Sequence, residues 1–407
     1  MTETLLQQIQ TLQFHDKPAA ESLLKAFIRE TFPTLDVHHV ELRPQAVSLN
    51  SFNGFLTLAD GGHLFFKTHT EQDNVIDEYY NAAMLAQAGY PVIQPLYSST
   101  RAGQHLLIYE VITDPSVFDV AWAIEQGEGN DSAALTQAQH AADDALLQCY
   151  FSTWAEQSAS EAAAAPIHQL FYHRLVGGRL ARFYSPDVQV TLPNGTYTMQ
   201  QVRHWQWDIN GKRYHQSLDD LIGQAVHVLK PEQKGPSVIG HGDAHNGNVF
   251  FQRDERSLLY FDPAFAGRHH PLLDITKPLF HNVFAMWMYF PQVKHQQTHM
   301  NMRLDGDTLY VEHDYHIHPI REMFLRSKVE RVLRPMLAAL AEREHLRADW
   351  RTYLKSALFC CPFLTLNLAD STRFSPEISL LGLSMAVEMG ADHPQSMIDQ
   401  VLTEVAP

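Results

Sequence analysis

Apolar and polar positions in the first part of the chain predict a small antiparallel sheet accompanied by helices. Apolar residues alternate or run together in five segments bounded by turn residues. The segments are "VHHVEL" (37–42), "AVSLNSFNGFLTL" (46–58), "GHLFFKTH" (62–69), "PVIQPLYS" (91–98) and "QHLLIYEVI" (104–112). Helical spacing predicts short helices around residues 4–12 and 19–31, and a third in "NVIDEYYNAAMLAQAG" (74–89). These residues are therefore expected to form a sheet with one internal helix.

Beyond residue 112 the periodicity is mostly helical. Helices are predicted within 132–163, 217–230, 320–345 and 351–368. Three hairpins are expected at turns that contain Asn194-Gly195, Asn210-Gly211 and Asp305-Gly306. The Ala, Glu and Gln-rich stretch 125–165 is interpreted as an exposed helical insertion. A large helical region that carries hairpins is the expected result.

Composition and charge exclude several classes of protein. The chain has 407 residues, 45% of them apolar, and no uncharged apolar run approaches the roughly 18 residues of a membrane span. A net charge of −16 opposes binding to a nucleic-acid backbone and suits a neutral or cationic small molecule better. The amino terminus lacks a basic region followed by an apolar block, and three cysteines provide no disulfide framework. A cytoplasmic protein with a small-molecule substrate is expected, in an oligomeric state that the sequence leaves open.

The stretch "HGDAHNGNVFF" (241–251) carries the most informative polar residues. The segments "NVFFQ" and "SLLYFD" on either side of the turn "RDER" predict a hairpin, and pairing about Glu255 would place Asn248 opposite Asp262. Asp243 precedes this hairpin on the entering loop and can reach the same end. Because carboxylate and amide oxygens suit Mg²⁺, the sequence predicts a magnesium site there, held by Asn248 and Asp262.

A carboxylate that is not needed by the metal can accept the proton of an attacking hydroxyl in phosphoryl transfer, and Asp243 is the candidate. Such a site also requires a strand lysine for the nucleotide phosphates and a helix glutamate that orients this lysine. Lys67 lies on the third predicted strand and Glu78 on the helix that follows it. Two distant stretches of sequence therefore predict the same chemistry.

These motifs resemble the aminoglycoside phosphotransferase and choline kinase superfamily of protein-kinase-like enzymes. "HGDAHNGNVFF" is similar to the family's H-G-D-x-x-x-x-N catalytic loop, and "YFDPAFAGRHHPLLDITKPLF" is similar to its metal-binding aspartate segment. The motif "FDPA" is similar to the corresponding motif of fructosamine kinases in particular. The resemblance covers residues 40–112 and 236–290.

The resemblance implies a bilobal α+β fold, with a nucleotide-binding lobe over 1–112 and a helical lobe with hairpin insertions over 113–407. It implies a catalytic loop at 241–248 and a metal-binding segment at 262–274, with ATP and Mg²⁺ as cofactors. The residue roles that it implies are Asp243 as base, His241 as a brace of the loop, Asn248 and Asp262 as Mg²⁺ ligands, Lys67 with Glu78 at the phosphates, and Glu110 to Ile112 at the adenine. Asp274 is expected to be structural.

The chain departs from protein kinases in ways that point to a small acceptor. The stretch expected to cover the phosphates has a single glycine, Gly54, so Ser51 and Asn53 are expected to assist it. The eleven residues between Asp262 and Asp274 are too few for an activation segment. Substrate contacts are expected in the long stretch before His241. Further substrate contacts are predicted at His245, Arg268, His269 and His270.

Other functions are also compatible with the same residues. A catalytically silent nucleotide-binding regulator would keep the fold without turnover, and Asp243-Ala244-His245 has the D-x-H form of binuclear phosphoesterases. The histidines of "EHDYHIHP" (312–319) have spacing that a metal site can use. His269 and His270 are alternatively surface residues, and "LFHNVFAMWMYF" (279–290) is expected to be a buried helix rather than an aromatic cofactor site.

Overall fold

The structure, a computed structural model, describes residues 5–43, 51–69, 78–99 and 105–407. The chain divides into two units, of which the first comprises Met1–Gln87 and Pro91–Asp114 and the second Ala88–Tyr90 and Pro115–Pro407. Helices and antiparallel strands occur in both units, which confirms the predicted α+β class. Among the described residues, no helix combines the length and the apolar character that crossing a membrane requires.

The first unit is built on an antiparallel sheet with the strand order β1-β2-β3-β5-β4. Its strands are β1 (Val37–Leu42), β2 (Ser51–Leu58), β3 (His63–His69), β4 (Tyr97–Ser99) and β5 (Leu106–Glu110). Its helices are α1 (Leu5–Leu12), α2 (Lys17–Thr31) and α3 (Glu78–Gln87). The first two predicted helices are confirmed, while the amino-terminal part of the third prediction lies outside the described residues.

The two faces of this sheet have different neighbours. Leu56, Leu64 and Phe66 project from one face and join a core with Leu24 and Ile28 of α2, all of them buried. Because successive strand residues point to opposite faces, the other face carries the residues between them. This alternation separates an apolar core face from a second face that carries Asn53 and Lys67.

The predicted strand over 91–98 is mostly absent from the structure. Regular pairing is confined to Tyr97–Ser99, preceded by a single bridge at Val92. Pro91 and Pro95 provide no backbone N–H for a ladder, which explains why the apolar run stays irregular. The strand predicted over 104–112 is confirmed at Leu106–Glu110.

The second unit is mostly helical. Its helices are α4 (Val117–Glu125), α5 (Ser132–Thr153), α6 (Ala159–Ala163), α7 (Tyr172–Val176), α8 (Arg179–Tyr184), α9 (Met199–His204), α10 (Leu218–Val228), α11 (Pro271–Asp274), α12 (Thr276–His281), α13 (Met286–Tyr289), α14 (Pro291–Gln297), α15 (Pro319–Lys328), α16 (Arg334–Glu342), α17 (Trp350–Thr365), α18 (Pro376–Gly390) and α19 (Met397–Glu404). A π-helical turn (Val329–Leu333) joins α15 to α16, so the helical prediction for 320–345 holds. The almost fully buried helices α17 and α18 pack against each other.

The strands of the second unit form small sheets around this helical core. They are β6 (Ala155–Gln157), β7 (Gln189–Leu192), β8 (Gly195–Thr198), β9 (Gln206–Ile209), β10 (Lys212–Tyr214), β11 (Gly235–Gly240), β12 (Val249–Gln252), β13 (Ser257–Tyr260), β14 (Gly267–His269), β15 (Met300–Asp305) and β16 (Thr308–His313). All three predicted hairpins are present. Two of them combine into one sheet, because β9 pairs in parallel with β16.

The interpretation of 125–165 as an exposed helical insertion is wrong. Helix α5 contacts β11, β13 and α15, and Asp143 on α5 is buried. The Asp143 carboxylate accepts hydrogen bonds from Gln139 Nε2 at 3.0 Å and Ser327 Oγ at 2.7 Å and forms an ion pair with Lys328. Within the helical prediction for 132–163, helix α5 ends at Thr153, and β6, which pairs with β11, separates it from α6. A buried polar network therefore fixes this segment in the core.

Candidate active site

The catalytic loop begins with backbone that requires glycine at two positions. A Cβ at Gly240 would overlap the carboxylate of Asp274, and a Cβ at Gly242 would overlap the backbone carbonyl of Phe265. Gly242 also has a φ of +78°, in the left-handed region that side chains disfavour. The sequence H-G-D therefore allows the loop to pass directly against the segment that follows the β12–β13 hairpin.

Asp274 anchors this loop from α11. Its Oδ1 accepts hydrogen bonds from the Gly242 N–H at 2.6 Å and from His269 Nε2 at 2.9 Å, and its Oδ2 accepts one from the Tyr150 hydroxyl. Burial alone would raise the pKa of Asp274, but the hydrogen bonds from His269, Tyr150 and Gly242 outweigh burial and hold the pKa below its usual value. An ionised, buried carboxylate thus fixes the entry to the catalytic loop.

His241 braces the other side of the loop. The ring is fully buried, and its Nε2 lies 3.0 Å from the backbone oxygen of Phe261, to which it donates in the tautomer protonated at that nitrogen. Phe261 follows the β12–β13 hairpin, so this contact connects the start of the catalytic loop to the start of the aspartate segment. The contact agrees with the bracing role predicted for His241.

Asp243 itself lies in a cationic environment. Its Oδ1 is 3.6 Å from Lys277 Nζ and its Oδ2 is 4.0 Å from His245 Nε2, while 15% of the side chain is exposed. Burial would raise the pKa of Asp243, yet Lys277, His245 and Arg174 together lower the pKa below its usual value. Among the described residues, Oδ1 has no hydrogen-bond partner. Asp243 is therefore ionised and offers a buried oxygen to a donor.

The register of the hairpin differs by one residue from the prediction. Val249 pairs with Tyr260 and Gln252 with Ser257, so Asn248 lies opposite Phe261 rather than Asp262. The Phe261 N–H donates to the Asn248 backbone oxygen at 3.1 Å, which extends the ladder by one step. The difference arises because "RDER" forms a loop of four residues, which places the centre of pairing before Glu255. Asp262 then follows at the same end of the hairpin.

Asn248 and Asp262 have a donor set that suits a hard cation. Asn248 Nδ2 donates to the Asp243 backbone oxygen at 2.9 Å, which leaves the amide oxygen as the remaining polar atom of this side chain. Asp262 has a φ of +55°, a conformation that costs energy for a residue with a Cβ and that is enriched at functional sites. One carboxylate and one amide oxygen match the ligands that Mg²⁺ takes while it keeps several waters.

Three residues near Asp243 were not predicted from the sequence. Lys277 on α12 is buried, and its Nζ lies 2.9 Å from His281 Nε2, one turn further along the same helix. His281 Nδ1 lies 2.8 Å from the hydroxyl oxygen of Tyr289. The spacing of Lys277 and His281, four residues apart beside the aspartate segment, is the sequence signal that could have revealed this pair. The run 279–290 is otherwise buried as expected, through Met288.

The residues predicted to contact substrate have varied environments. Arg268 donates to the Thr153 backbone oxygen at 2.6 Å, and the fully buried His269 holds Asp274, so both side chains serve the protein interior. His270 caps α11 through the Leu272 N–H, which also argues against a surface role. His245 is partly exposed near Asp243 and stays the predicted substrate contact of this group.

The first unit brings two of the predicted nucleotide residues together. Asn53 on β2 lies directly opposite Lys67 on β3, so both side chains project from the sheet face away from the α1–α2 core. At Gly54 a Cβ would overlap the Glu41 backbone oxygen and the Phe66 ring, so close strand packing by itself requires glycine there. The side chains of Ser51 and Glu78 lie outside the described residues, and the predicted Lys67–Glu78 pair stays a prediction.

The strand β5 ends where the adenine contact was predicted. Glu110 is exposed as the last residue of this strand, and Ile112 follows in irregular backbone with partial exposure. Backbone N–H and C=O groups beyond the strand end are free of the ladder, as a contact to a nucleotide base would require. The role of these two residues stays a prediction.

The alternative metal sites receive no support from the described residues. Within them, no group of three or more His, Cys, Asp or Glu side chains is arranged to hold a metal ion. His316 and His318 instead line a cavity of about 330 Å³ near Glu125 and Lys294, which includes no residue of the catalytic loop. His245 Nδ1 accepts the Gly247 N–H, so the D-x-H pair does not have the ligand arrangement of a binuclear phosphoesterase.

The class of the protein follows from a comparison with models of protein families. A model of the family described as APH, phosphotransferase enzyme family, matches residues 45–290. Because this match covers more than half of the chain, the chain belongs to that family. The resemblance to the aminoglycoside phosphotransferase and choline kinase superfamily is thereby confirmed.

Several solved structures are similar to this chain at low sequence identity. The amicoumacin kinase hAmiN in complex with AMP-PNP, Ca²⁺ and Ami is 14% identical, with 93% of this chain and 94% of that chain covered and a TM-score of 0.48. A thermostable mutant of aminoglycoside phosphotransferase APH(4)-Ia is 13% identical, with 89% and 97% covered and a TM-score of 0.47. Ethanolamine kinase from Plasmodium vivax is 10% identical, with 92% and 91% covered and a TM-score of 0.47. No curated protein matches the chain.

Proposed function

We propose that the protein is an ATP- and Mg²⁺-dependent kinase that phosphorylates a hydroxyl group of a small molecule such as a sugar, amino sugar, amino alcohol or aminoglycoside. The observation that carries the proposal is the environment of Asp243. Its Oδ1 is buried without a hydrogen-bond partner among the described residues, while three neighbouring cationic or polar side chains keep the carboxylate ionised. An ionised carboxylate whose Oδ1 makes an ion pair with Lys277 at 3.6 Å but accepts no hydrogen bond among the described residues can orient and deprotonate an acceptor hydroxyl.

The proposed reaction is a direct transfer. The acceptor oxygen forms a bond to the γ-phosphorus of ATP as the bond from that phosphorus to the β,γ-bridging oxygen breaks, and the hydroxyl proton passes to Asp243 Oδ1. Because Lys277 and His245 lower its pKa, Asp243 is a weak base whose main contribution is orientation of the hydroxyl. Lys277 also adds positive charge near the transferring group.

We assign the remaining roles by the chemistry of each side chain. Asn248 and Asp262 would hold Mg²⁺, which when bound offsets charge on the nucleotide phosphates. Lys67, with Asn53 opposite it on the sheet, would bind the phosphates from the first unit. The three cysteines are buried and unpaired, which supports the proposed cytoplasmic setting.

The experiment measures transfer of γ-labelled phosphate from Mg²⁺-ATP to a panel of sugars, amino sugars, amino alcohols and aminoglycosides. Asp243→Asn removes the proposed base, and Asp254→Asn, in the exposed turn of the same hairpin, is the matched control. Label in one small molecule with the native and Asp254→Asn proteins, reduced about 10²- to 10⁴-fold in Asp243→Asn, would support the proposal. ATP binding without transfer to any acceptor would favour the silent regulator instead.

A further inference from the structure

The hydrogen bonds around His281 determine which partner the Tyr289 hydroxyl hydrogen can have. Burial lowers the pKa of Lys277, and the Asp243 carboxylate at 3.6 Å opposes this shift. As an ammonium Lys277 is a donor only, and His281 Nε2 then accepts from it at 2.9 Å. Burial and the charge of Lys277 keep the pKa of His281 well below its ordinary value, so the ring is neutral and its proton sits on Nδ1. Nδ1–H then donates to the Tyr289 oxygen at 2.8 Å. The hydroxyl hydrogen of Tyr289 is left for a different partner.

Tyr289 lies where the buried run preceding it reaches the surface. Residues 286–288 are buried, whereas Tyr289 and Phe290 are partly exposed. The Tyr289 ring meets Phe118 edge-on at 5.1 Å, and Phe290 stacks on Phe118 at 5.5 Å and on Trp122 at 3.7 Å, distances between ring centroids. These four residues, Phe118, Trp122, Tyr289 and Phe290, are called the aromatic surface below.

The aromatic surface is connected to the catalytic loop by two routes. Through side chains, Tyr289 contacts His281, His281 contacts Lys277, and Lys277 lies beside Asp243. Through backbone packing, α4 carries Phe118 and Trp122 and contacts the 3₁₀ turn Asn246–Asn248. A partly exposed aromatic surface is therefore linked to the proposed base, and the Tyr289 hydroxyl hydrogen can serve a partner other than His281.

We propose that Tyr289 and the aromatic surface bind the acceptor, an inference that rests on the proposed kinase function. The Tyr289 hydroxyl donates a hydrogen bond to an oxygen of the acceptor, and the rings contact a flat apolar face of the same molecule. The ring face of a sugar or amino sugar, with C–H groups on its flat side and hydroxyls at its edge, has this chemistry. A short amino alcohol has no such face. His281 is a positioning residue, because it acts through Tyr289.

The test uses the full chain with Tyr289→Phe, which removes the hydroxyl and keeps the ring. Tyr197→Phe, on the β7–β8 hairpin, is the matched control for loss of a tyrosine hydroxyl. Steady-state rates with labelled Mg²⁺-ATP give KM for the sugar or amino sugar that the native protein phosphorylates, together with KM for ATP and Tm. A deoxy analogue series of that acceptor identifies the oxygen that Tyr289 contacts.

The proposal predicts that Tyr289→Phe raises the acceptor KM about 5- to 10-fold, while KM for ATP stays unchanged and Tyr197→Phe behaves like the native protein. The Tm of Tyr289→Phe should fall by a few degrees, because the buried His281 Nδ1–H loses its acceptor. With the native protein, one deoxy analogue should show the same increase in KM relative to the acceptor itself. With Tyr289→Phe, that analogue and the acceptor should have equal KM values. If Tyr289→Phe and Tyr197→Phe transfer phosphate with equal KM for the acceptor, the inference is overturned, and the kinase function still stands. Preference for a short amino alcohol over every ring acceptor would overturn the proposed class of substrate. Bound ATP without transfer would overturn the proposed function, and the inference with it.

Discussion

The sheet of the first unit and the catalytic loop of the second hold their predicted site residues by different physical means. Asn53 and Lys67 take their positions from the register of neighbouring strands, which is a short-range backbone property. Asp243 takes its position from a loop that remote side chains hold, above all Asp274 and its donors Tyr150 and His269. A single substitution at the sheet site should therefore lower activity without lowering stability, whereas a substitution at the loop should lower both.

Substitution of the loop anchor should have the largest effect. Asp274→Ala leaves the Tyr150 hydroxyl, His269 and the Gly242 N–H without their shared acceptor in a buried site, so the free energy of unfolding should fall by about 3 to 5 kcal/mol and activity should be lost. Denaturant unfolding measures the free energy of unfolding. Asp144→Ala, which breaks the exposed ion pair with Arg331, should change it by about 1 kcal/mol or less. Equal losses in the two variants would contradict the anchor role.

Substitution of the sheet lysine should reduce activity while stability is preserved. Lys67→Met keeps the strand pairing and removes the charge assigned to the nucleotide phosphates, so kcat/KM for ATP should fall about 100-fold. Thermal unfolding should show Tm within a few degrees of the native value. Lys17→Met, on α2 in the same unit, serves as the control and should retain full activity. A native rate for Lys67→Met would remove the nucleotide role of this face.

Lys277 gives an intermediate case within the loop region. Lys277→Met keeps the side-chain volume but removes the buried cation that pairs with Asp243 and leaves this carboxylate uncompensated, so the free energy of unfolding should fall by about 3 kcal/mol. Removal of the charge beside Asp243 should lower kcat about tenfold. Parallel measurements of kcat and of unfolding by urea test both parts, with exposed Lys230→Met as the control. A large loss of stability with native kcat would show that Lys277 is structural.

The smallest expected effect concerns pH and stability. Burial lowers the pKa of His270 from its ordinary value of about 6.5 to about 3, so the unfolded chain binds a proton between these values and the folded chain does not. Stability should therefore fall as pH decreases below about 6.5, with His270 contributing about 1 to 2 kcal/mol of the loss by pH 5. His270→Asn keeps an N-cap for α11 without a titrating ring. Urea titrations at pH 7 and pH 5 should show a weaker pH dependence for this variant than for the native protein.

The sequence revealed those parts of the fold that local patterns determine. The strands β1, β2, β3 and β5 and the three hairpin turns are encoded within short segments and occur where they were predicted, whereas the strand predicted over 91–98 is mostly absent. Helix α5 was misjudged because its buried face mixes apolar residues such as Leu135 and Tyr150 with the polar Asp143, whose buried hydrogen bonds the composition does not reveal. The pairing of β9 with β16 joins residues about a hundred positions apart, which no local pattern encodes.

The candidate site shows the same division. Asp243, Asn248 and Asp262 were predicted from one motif and its spacing. Lys277 lies beside Asp243, and Tyr289 contacts His281, only through the packing of α12 and α13. A substrate role was predicted for Arg268 and His269 because of their residue types. However, β14 pairs with β11, which buries His269 against Asp274. The direction of the His269 side chain within a short strand decided whether it faces the interior or a substrate. The sequence alone did not indicate this direction.

The most direct test of the central claim is the rate of phosphoryl transfer in a single turnover with saturating Mg²⁺-ATP and the identified acceptor, measured by rapid quench. The native and Asp254→Asn proteins should transfer label at equal rates, and Asp243→Asn should be slower by about 10²- to 10⁴-fold while it binds ATP with native affinity. Transfer by Asp243→Asn at the native rate would contradict the assignment of Asp243 as the residue that orients and deprotonates the acceptor hydroxyl.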